Sequence, residues 1–305
     1  MPSYISHAIM GSELYKHLEE ENLLYIPIDK KELRSYTSTP DYALMSKRVI
    51  KNTHCNYTKL FFLNMISYIK ENKLLENSNI ISLLYAHISH YFLDINTHPL
   101  INYLEDNCKT NNILSNHTII EGYIDSYLSQ KILNKDIKEI KPSYFTKTNF
   151  FDRDLIELIN NIYGKVYNDY NMIDTYKTIQ RLIKTLEIVI KSKFISKQTL
   201  ISFSNFHNFL IDNNLTLNNL TNENKDIYID LMTGEYLTYS LLELYQKSII
   251  MTLEAIDEVN RYLYEDKPIS NLYKIFTDLS YNTGVSCKLE NFKVYKRTKE
   301  IRKTS

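Results

Sequence analysis

The histidines of this chain cluster toward one end. Of eight, six lie before residue 100 and seven before residue 118. Two stand four residues ahead of a carboxylate, His90 before Asp94 and His117 before Glu121. On a helix that spacing sends both side chains off one face. His98 comes four residues after Asp94 and directly precedes Pro99, while Asp125 follows Glu121 by one turn. His7, Asp41 and His54 complete a set of imidazoles and carboxylates within the first 121 residues. Zinc suits such a set. It takes His nitrogen and Asp or Glu oxygen in compact sites, and a helix-borne H-x-x-x-D/E pair offers two ligands to one side of an ion. One pair arises often by chance; two pairs, with a further His-Pro beside the first, make a stronger signal.

The elements that position these residues are helices. The 305 residues include five Gly and six Pro, where average usage gives roughly 37 of the two together. So few punctuators cannot serve a sandwich, a propeller or a Rossmann domain, and no Gly-rich phosphate loop is present. Long apolar periodic runs with few breakers predict long helices. The first covers about 3–20. An irregular stretch marked by Pro27 and SYTSTPD leads to Asp41, at or just before a helix start. Another helix covers 57–72, with Phe61, Phe62, Met65, Ile66 and Ile69 on one face. The next is capped by Asn79, runs through IISLLYAHISHYFLDI and ends before Pro99. Asn116 caps HTIIEGYIDSYLSQK, and further helices cover about 152–168, 172–194, 198–212 and 236–264, with a loop at 213–226. The expectation is one all-α domain over 1–305, with a metal-ligand part (1–131), supporting helices (132–287) and a basic tail (288–305).

The remaining composition bounds the function. Hydrophobic residues make up 44%, and 36 basic side chains balance 36 acidic ones. That balance gives no bulk attraction to nucleic acid or anionic lipid, and no stable nucleic-acid partner is expected. Only residues 288–303 depart from it, reading either as a solvated end or as a weak contact with an anionic membrane surface. Three Cys without motif spacing fit a reducing compartment. With no signal-peptide pattern and no apolar run long enough to span a bilayer, a cytoplasmic location is expected.

The run YAHISHYFLDINTHPLI, followed by NHTIIEGYIDSYL, resembles the zinc-dependent phospholipase C family, whose fold is shared with zinc-dependent single-strand nucleases. The family order is matched by His7, Asp41 in TPDY, His54 in THCNYTKLFF, His90 and Asp94 in HYFLD, His98 in HPLI, and His117 with Glu121. The likeness is sharp over 1–131 and moderate near 230–262, where DLMTGEYLTYSLLELYQKSI resembles the lead into the family's last long helix. By resemblance, Asp41, His54, His90 and Asp94 hold one zinc; His98, His117 and Glu121 hold a second; and Asp94 bridges to a third that His7 also binds. Three such ions against three carboxylates leave a site charge of about +3, which draws a phosphate ester to a neutral chain. The resemblance implies two or three Zn²⁺, phospholipid cleavage by a zinc-activated water, and Asp41 as ligand and base. In secreted members an N-terminal Trp completes the third site. This chain has no Trp, and Pro2, exposed by removal of Met1, is the expected substitute. A nuclease or nucleotidase on the same scaffold, or a non-enzymatic zinc-stabilised helical protein, are the alternatives.

Other polar residues near the set carry two readings each. His87 shares a helix face with His90 and Asp94 and reads chiefly as a packed histidine, otherwise as a donor behind the ligands. Asp125 either accepts from a ligating imidazole or forms a helix-face ion pair. Tyr42 either lines the substrate mouth or packs among aromatics. His17 and His207 read as surface residues. Cys55 points away from His54 on a helix and stays outside the ligand set.

Overall fold

The computed structural model describes residues 4–42, 53–107, 116–140, 144, 152–191 and 220–290. Among the described residues the fold is all-α apart from the antiparallel pair Tyr228–Ile229 with Tyr236–Leu237 and an isolated bridge between Leu279 and Ser286. Its helices are α1 (Tyr4–Glu20), α2 (Lys30–Tyr36), α3 (Thr39–Tyr42), α4 (Thr58–Glu71), α5 (Ser78–Asn107), α6 (Asn116–Leu133), α7 (Arg153–Tyr167), α8 (Met172–Lys191) and α9 (Leu241–Tyr264), followed by the short α10 (Leu272–Ile275) and α11 (Cys287–Glu290). The expected helix at 198–212, His207 and most of the expected loop at 213–226 lie outside the described residues. None of the described helices is long and apolar enough to cross a membrane.

α5 is the axis of the fold. Every residue from Ile80 to His98 is buried. A helix apolar on all sides must be covered on all sides, and α1, α2, α4, α6, α7 and α9 pack around it. The cover includes large apolar side chains such as Leu14, Leu33, Phe62, Ile120, Leu158 and Ile256. Burial of this kind stabilises by about 1.5–3 kcal/mol per large side chain.

That enclosure corrects one expectation: α5 does not end before Pro99 but runs through it to Asn107. Pro99 cannot donate to the carbonyl of Ile95, a defect costing about 3 kcal/mol in an isolated helix. Packing on every side outweighs it. Gly284, at φ +71°, closes over the Ile95 carbonyl, where a Cβ would sit 2.3 Å from the oxygen. The cap of α5 is also two residues earlier than expected, since Asn77 Oδ1 accepts from the backbone N–H groups of Asn79 and Ile80 at 3.1 and 3.2 Å.

Two further differences are local. The stretch before Asp41 contains α2, which Asp29 caps by accepting from Lys31 and Glu32 N–H at 2.6 and 3.1 Å. Residues 236–240 are not helical: Tyr236–Leu237 pairs antiparallel with Tyr228–Ile229. Asp230 holds the turn through Met232 N–H, and Gly234 supplies its positive φ of 76°. α9 then starts at a capping box, Ser240 with Glu243.

Candidate metal centre

The fold brings all eight sequence-selected residues to one region, in two adjoining groups. Asp41, His54, His90 and Asp94 form the first; His98, His117 and Glu121 form the second. Within each group one ligand atom per residue lies within 4.8 Å of the others. Four elements build the first group. α5 supplies His90 and Asp94 from one face, α3 supplies Asp41, the segment before α4 supplies His54, and α1 brings His7 against them. His90 Nε2 lies 3.2 Å from Asp94 Oδ2 and 3.4 Å from Asp41 Oδ1. His54 Nε2 lies 3.3 Å from Asp41 Oδ1. His7 stacks on His90, ring centroids 3.8 Å apart, with Nε2 3.3 Å from Asp94 Oδ1.

The second group adjoins it through Asp94 and His98, one turn apart on α5. His117 Nε2 lies 2.9 Å from Glu121 Oε1, and the His98 and His117 rings stack at 5.8 Å. The two groups differ in exposure. Asp41, Asp94, His54 and His90 are at most 1% exposed, whereas the His117 side chain is 27% exposed.

Most of the imidazoles are turned the same way. His90 Nδ1 donates to the Thr37 carbonyl at 2.8 Å, and His98 Nδ1 to the Asp94 carbonyl at 3.0 Å. His54 Nδ1 is 3.0 Å from Thr53 Oγ1, and His117 Nδ1 is 2.8 Å from Glu105 Oε2. A neutral ring that donates from Nδ1 presents a bare Nε2 lone pair. Anchoring one nitrogen to a carbonyl or carboxylate is how ligating histidines are oriented. Glu105 fills the role considered for Asp125. Asp125 accepts instead from the backbone N–H and the hydroxyl of Ser6, at 2.9 and 2.5 Å, and so holds α1 beside His7. Burial pushes its carboxyl up to about 8.

The donor set fits a metal because it is unsatisfied without one. His7 Nδ1 and Nε2, His90 Nε2, Asp41 Oδ2 and both Asp94 oxygens are buried with no hydrogen-bond partner among the described residues. A buried polar atom left so costs about 1–3 kcal/mol, more when charged. Cations with nitrogen and oxygen preferences answer one nitrogen of each ring and the carboxylate oxygens together. Burial alone would raise the Asp94 carboxyl, yet His90 and His7 hold it well below the usual carboxylate range. Burial drives His98 well below the usual imidazole value, which keeps it in the neutral form a metal needs. His117 goes the other way, because Glu105 and Glu121 outweigh its burial.

The other residues resolve as follows. His87 is a packed histidine. Its Nε2 is 2.9 Å from Thr39 Oγ1, its ring stacks on Phe61 at 5.6 Å, and burial, with His90 and His54, lowers it to about 3. Tyr42 is buried edge-on against Tyr176 at 5.7 Å, so it packs rather than lining a mouth. His17 is half-buried beside Glu20, and Cys55 lies outside both groups. Pro2 is outside the described residues.

A buried His and carboxylate cluster of this kind suits a zinc ion. The family model for zinc dependent phospholipase C matches residues 6–172. The chain belongs to the zinc-dependent phospholipase C family. Comparison with curated proteins and with solved structures gives no match.

Proposed function

We propose that the protein hydrolyses a phospholipid between the glycerol oxygen and phosphorus, releasing diacylglycerol and a phosphoalcohol. The observation that carries this reading is the orphaned buried donor set, atoms of His7, Asp41, His90 and Asp94 without a hydrogen-bond partner among the described residues, on the segment that matches the family. Asp41, His54, His90 and Asp94 would hold one zinc, His98, His117 and Glu121 a second, with His7 and Asp94 available to a third. Zinc, when bound, supplies Lewis acidity toward phosphoryl oxygen and lowers the pKa of water toward about 7.

The chain's own residues supply the rest. His54, His90 and His98 present a single nitrogen each, fixed by the hydrogen bond at Nδ1, so no reorganisation is needed when the phosphate arrives. Asp41 Oδ2, without a partner among the described residues, takes the proton of the attacking water. The dry first group keeps bulk water from competing, while the partly exposed His117 side admits the substrate. The whole chain acts as one domain, in which residues 132–287 support the ligand helices.

The test is a metal analysis combined with a substrate panel: a chromogenic phosphocholine ester, phospholipid vesicles and single-stranded DNA. Turnover of the ester and of vesicle lipid, lost on chelation and restored by zinc, supports the reading. Zinc-dependent cleavage of DNA alone assigns the site to a nuclease. Full phosphodiesterase activity in verified metal-free protein overturns it.

A further inference from the structure

The segment 277–287 lies more than a hundred residues beyond the end of the family match, yet it touches the first metal group from two sides. It folds back on itself. Ser280 N–H donates to the Val285 carbonyl at 2.8 Å, Cys287 N–H to the Asp278 carbonyl at 2.9 Å, and Gly284 N–H to the Ser280 carbonyl at 2.8 Å. One side grips the His54 segment. Tyr281 N–H and Ser280 Oγ both donate to the His54 carbonyl, at 2.7 and 3.1 Å. Thr58 Oγ1 donates to the Leu279 carbonyl at 2.9 Å, which fixes the start of α4 four residues after His54.

The other side grips α5. Tyr91 Oη donates to the Thr277 carbonyl and Asn102 Nδ2 to the Asn282 carbonyl, both at 2.8 Å. Gly284 closes over the Ile95 carbonyl at the Pro99 defect. Between the two grips stands the Tyr281 ring, 4.9 Å from the His54 ring and 5.6 Å from that of His90.

We propose that the 277–287 hairpin is a positioning element of the first metal group, with the Tyr281 ring setting the separation of His54 and His90. His54 is the one ligand of that group not carried on a described helix. Its segment is otherwise held by Thr53, by the start of α4 and by the Tyr167 hydroxyl, which donates to the Asn56 carbonyl at 3.3 Å. The hairpin ties it to the rigid central helix, so that both histidines meet one ion at fixed separation. The proposal rests on the metal reading of the first group and gives the C-terminal third of the chain a role in it.

The test measures zinc affinity by competition with a chromophoric chelator and the visible band of the Co²⁺-loaded full-length protein, without substrate. Tyr281→Leu is expected to weaken metal binding at the first group about 10–100-fold, the usual cost of losing a residue behind the ligands, and to shift the Co²⁺ band. Tyr281→Phe, which keeps the ring, restores both. Gly284→Ala is expected to act like Tyr281→Leu, because a methyl group 2.3 Å from the Ile95 oxygen must displace the hairpin. Ser280→Ala, which removes one of two donors to His54, gives a smaller loss in the same direction and decides the matter if the other variants do not fold. Folded variants with wild-type affinity and an unshifted band overturn the proposal. Wild-type protein that binds no metal at the first group overturns this proposal and the metal reading together. Wild type that binds metal but cleaves no phosphoester overturns only the phospholipase reading.

Discussion

The two metal groups meet on α5 but are built on different terms. The first is dry: its carboxylates and imidazoles are at most 1% exposed, and behind them lie Thr37, Thr39, Thr53, His87 and Tyr281. The second is half open: His117 is 27% exposed, and Glu105, which orients it, is 40% exposed. Burying two carboxylates and three histidines is costly unless they share a counter-charge. The first group is therefore tied to folding itself, and a metal there acts on the unfolding equilibrium as well as on chemistry. A metal at the second group loses less when it leaves, because water replaces it on the open side. On the proposed reading, the open group is where a coordination position would pass to substrate.

Breaking a ligand of the dry group carries the largest expected effect. His90→Ala should remove zinc from the first group and lower kcat/KM at least about a thousandfold, equivalent to about 4 kcal/mol of transition-state stabilisation. Metal analysis and turnover of the chromogenic ester check it; retained zinc with retained activity breaks the assignment. Stripping the metals tests the contrast more directly. At free zinc about a thousandfold above the dissociation constant, linkage contributes about 4 kcal/mol to stability. Titration with a chelator should release zinc in two steps, the open group first with little change in Tm, the dry group second with a large fall. A single step, or the reverse order, breaks the comparison. Glu105→Gln comes next. It should weaken the second group's zinc about 10–100-fold and leave the first group's affinity unchanged, read by the same chelator competition.

These contrasts were unequally legible in the sequence. The pairs His90 with Asp94 and His117 with Glu121 declare themselves because helical spacing is a local property. His7, Asp41 and His54 have no such spacing: they join the set by residue type alone, and only the likeness to the family's order of ligands implies which ion each would hold. Asp125, which shares a face with Glu121, is the more visible candidate for orienting an imidazole, yet Glu105 does so. The usable signal is that Glu105 lies seven residues after His98, two turns along the same face of α5. α2 falls in a stretch that reads as irregular, although Asp29 and Glu32 stand at the spacing of a helix start. Pro99 misled because a breaker acts on an isolated helix, and α5 is held on every side. The hairpin at 277–287 had no local signal at all: its partner His54 is 226 residues away from Ser280, and pairings of that range appear only once the chain is folded.

The smallest expected effect concerns the backing of the dry group. Thr39 Oγ1 donates to the Tyr36 carbonyl at 2.7 Å, so it accepts from His87 Nε2–H, and His87 thereby holds the turn that carries Asp41. The ring is neutral in the native state, lowered to about 3 chiefly by burial, against about 6.5 in the unfolded chain. Between those values the unfolded chain binds a proton that the native protein refuses. The stabilisation from a neutral His87 is complete above about pH 6.5 and is lost as pH falls toward 3. Urea unfolding of chelated wild type and His87→Gln at pH 4, 5 and 6 isolates this group, because the metal ligands titrate in both proteins. Wild type should lose about 1.4 kcal/mol more per pH unit than the variant, the value for one proton. Equal slopes would mean that His87 takes up its proton in the folded protein, and the first group would then be as wet behind its ligands as the second is in front.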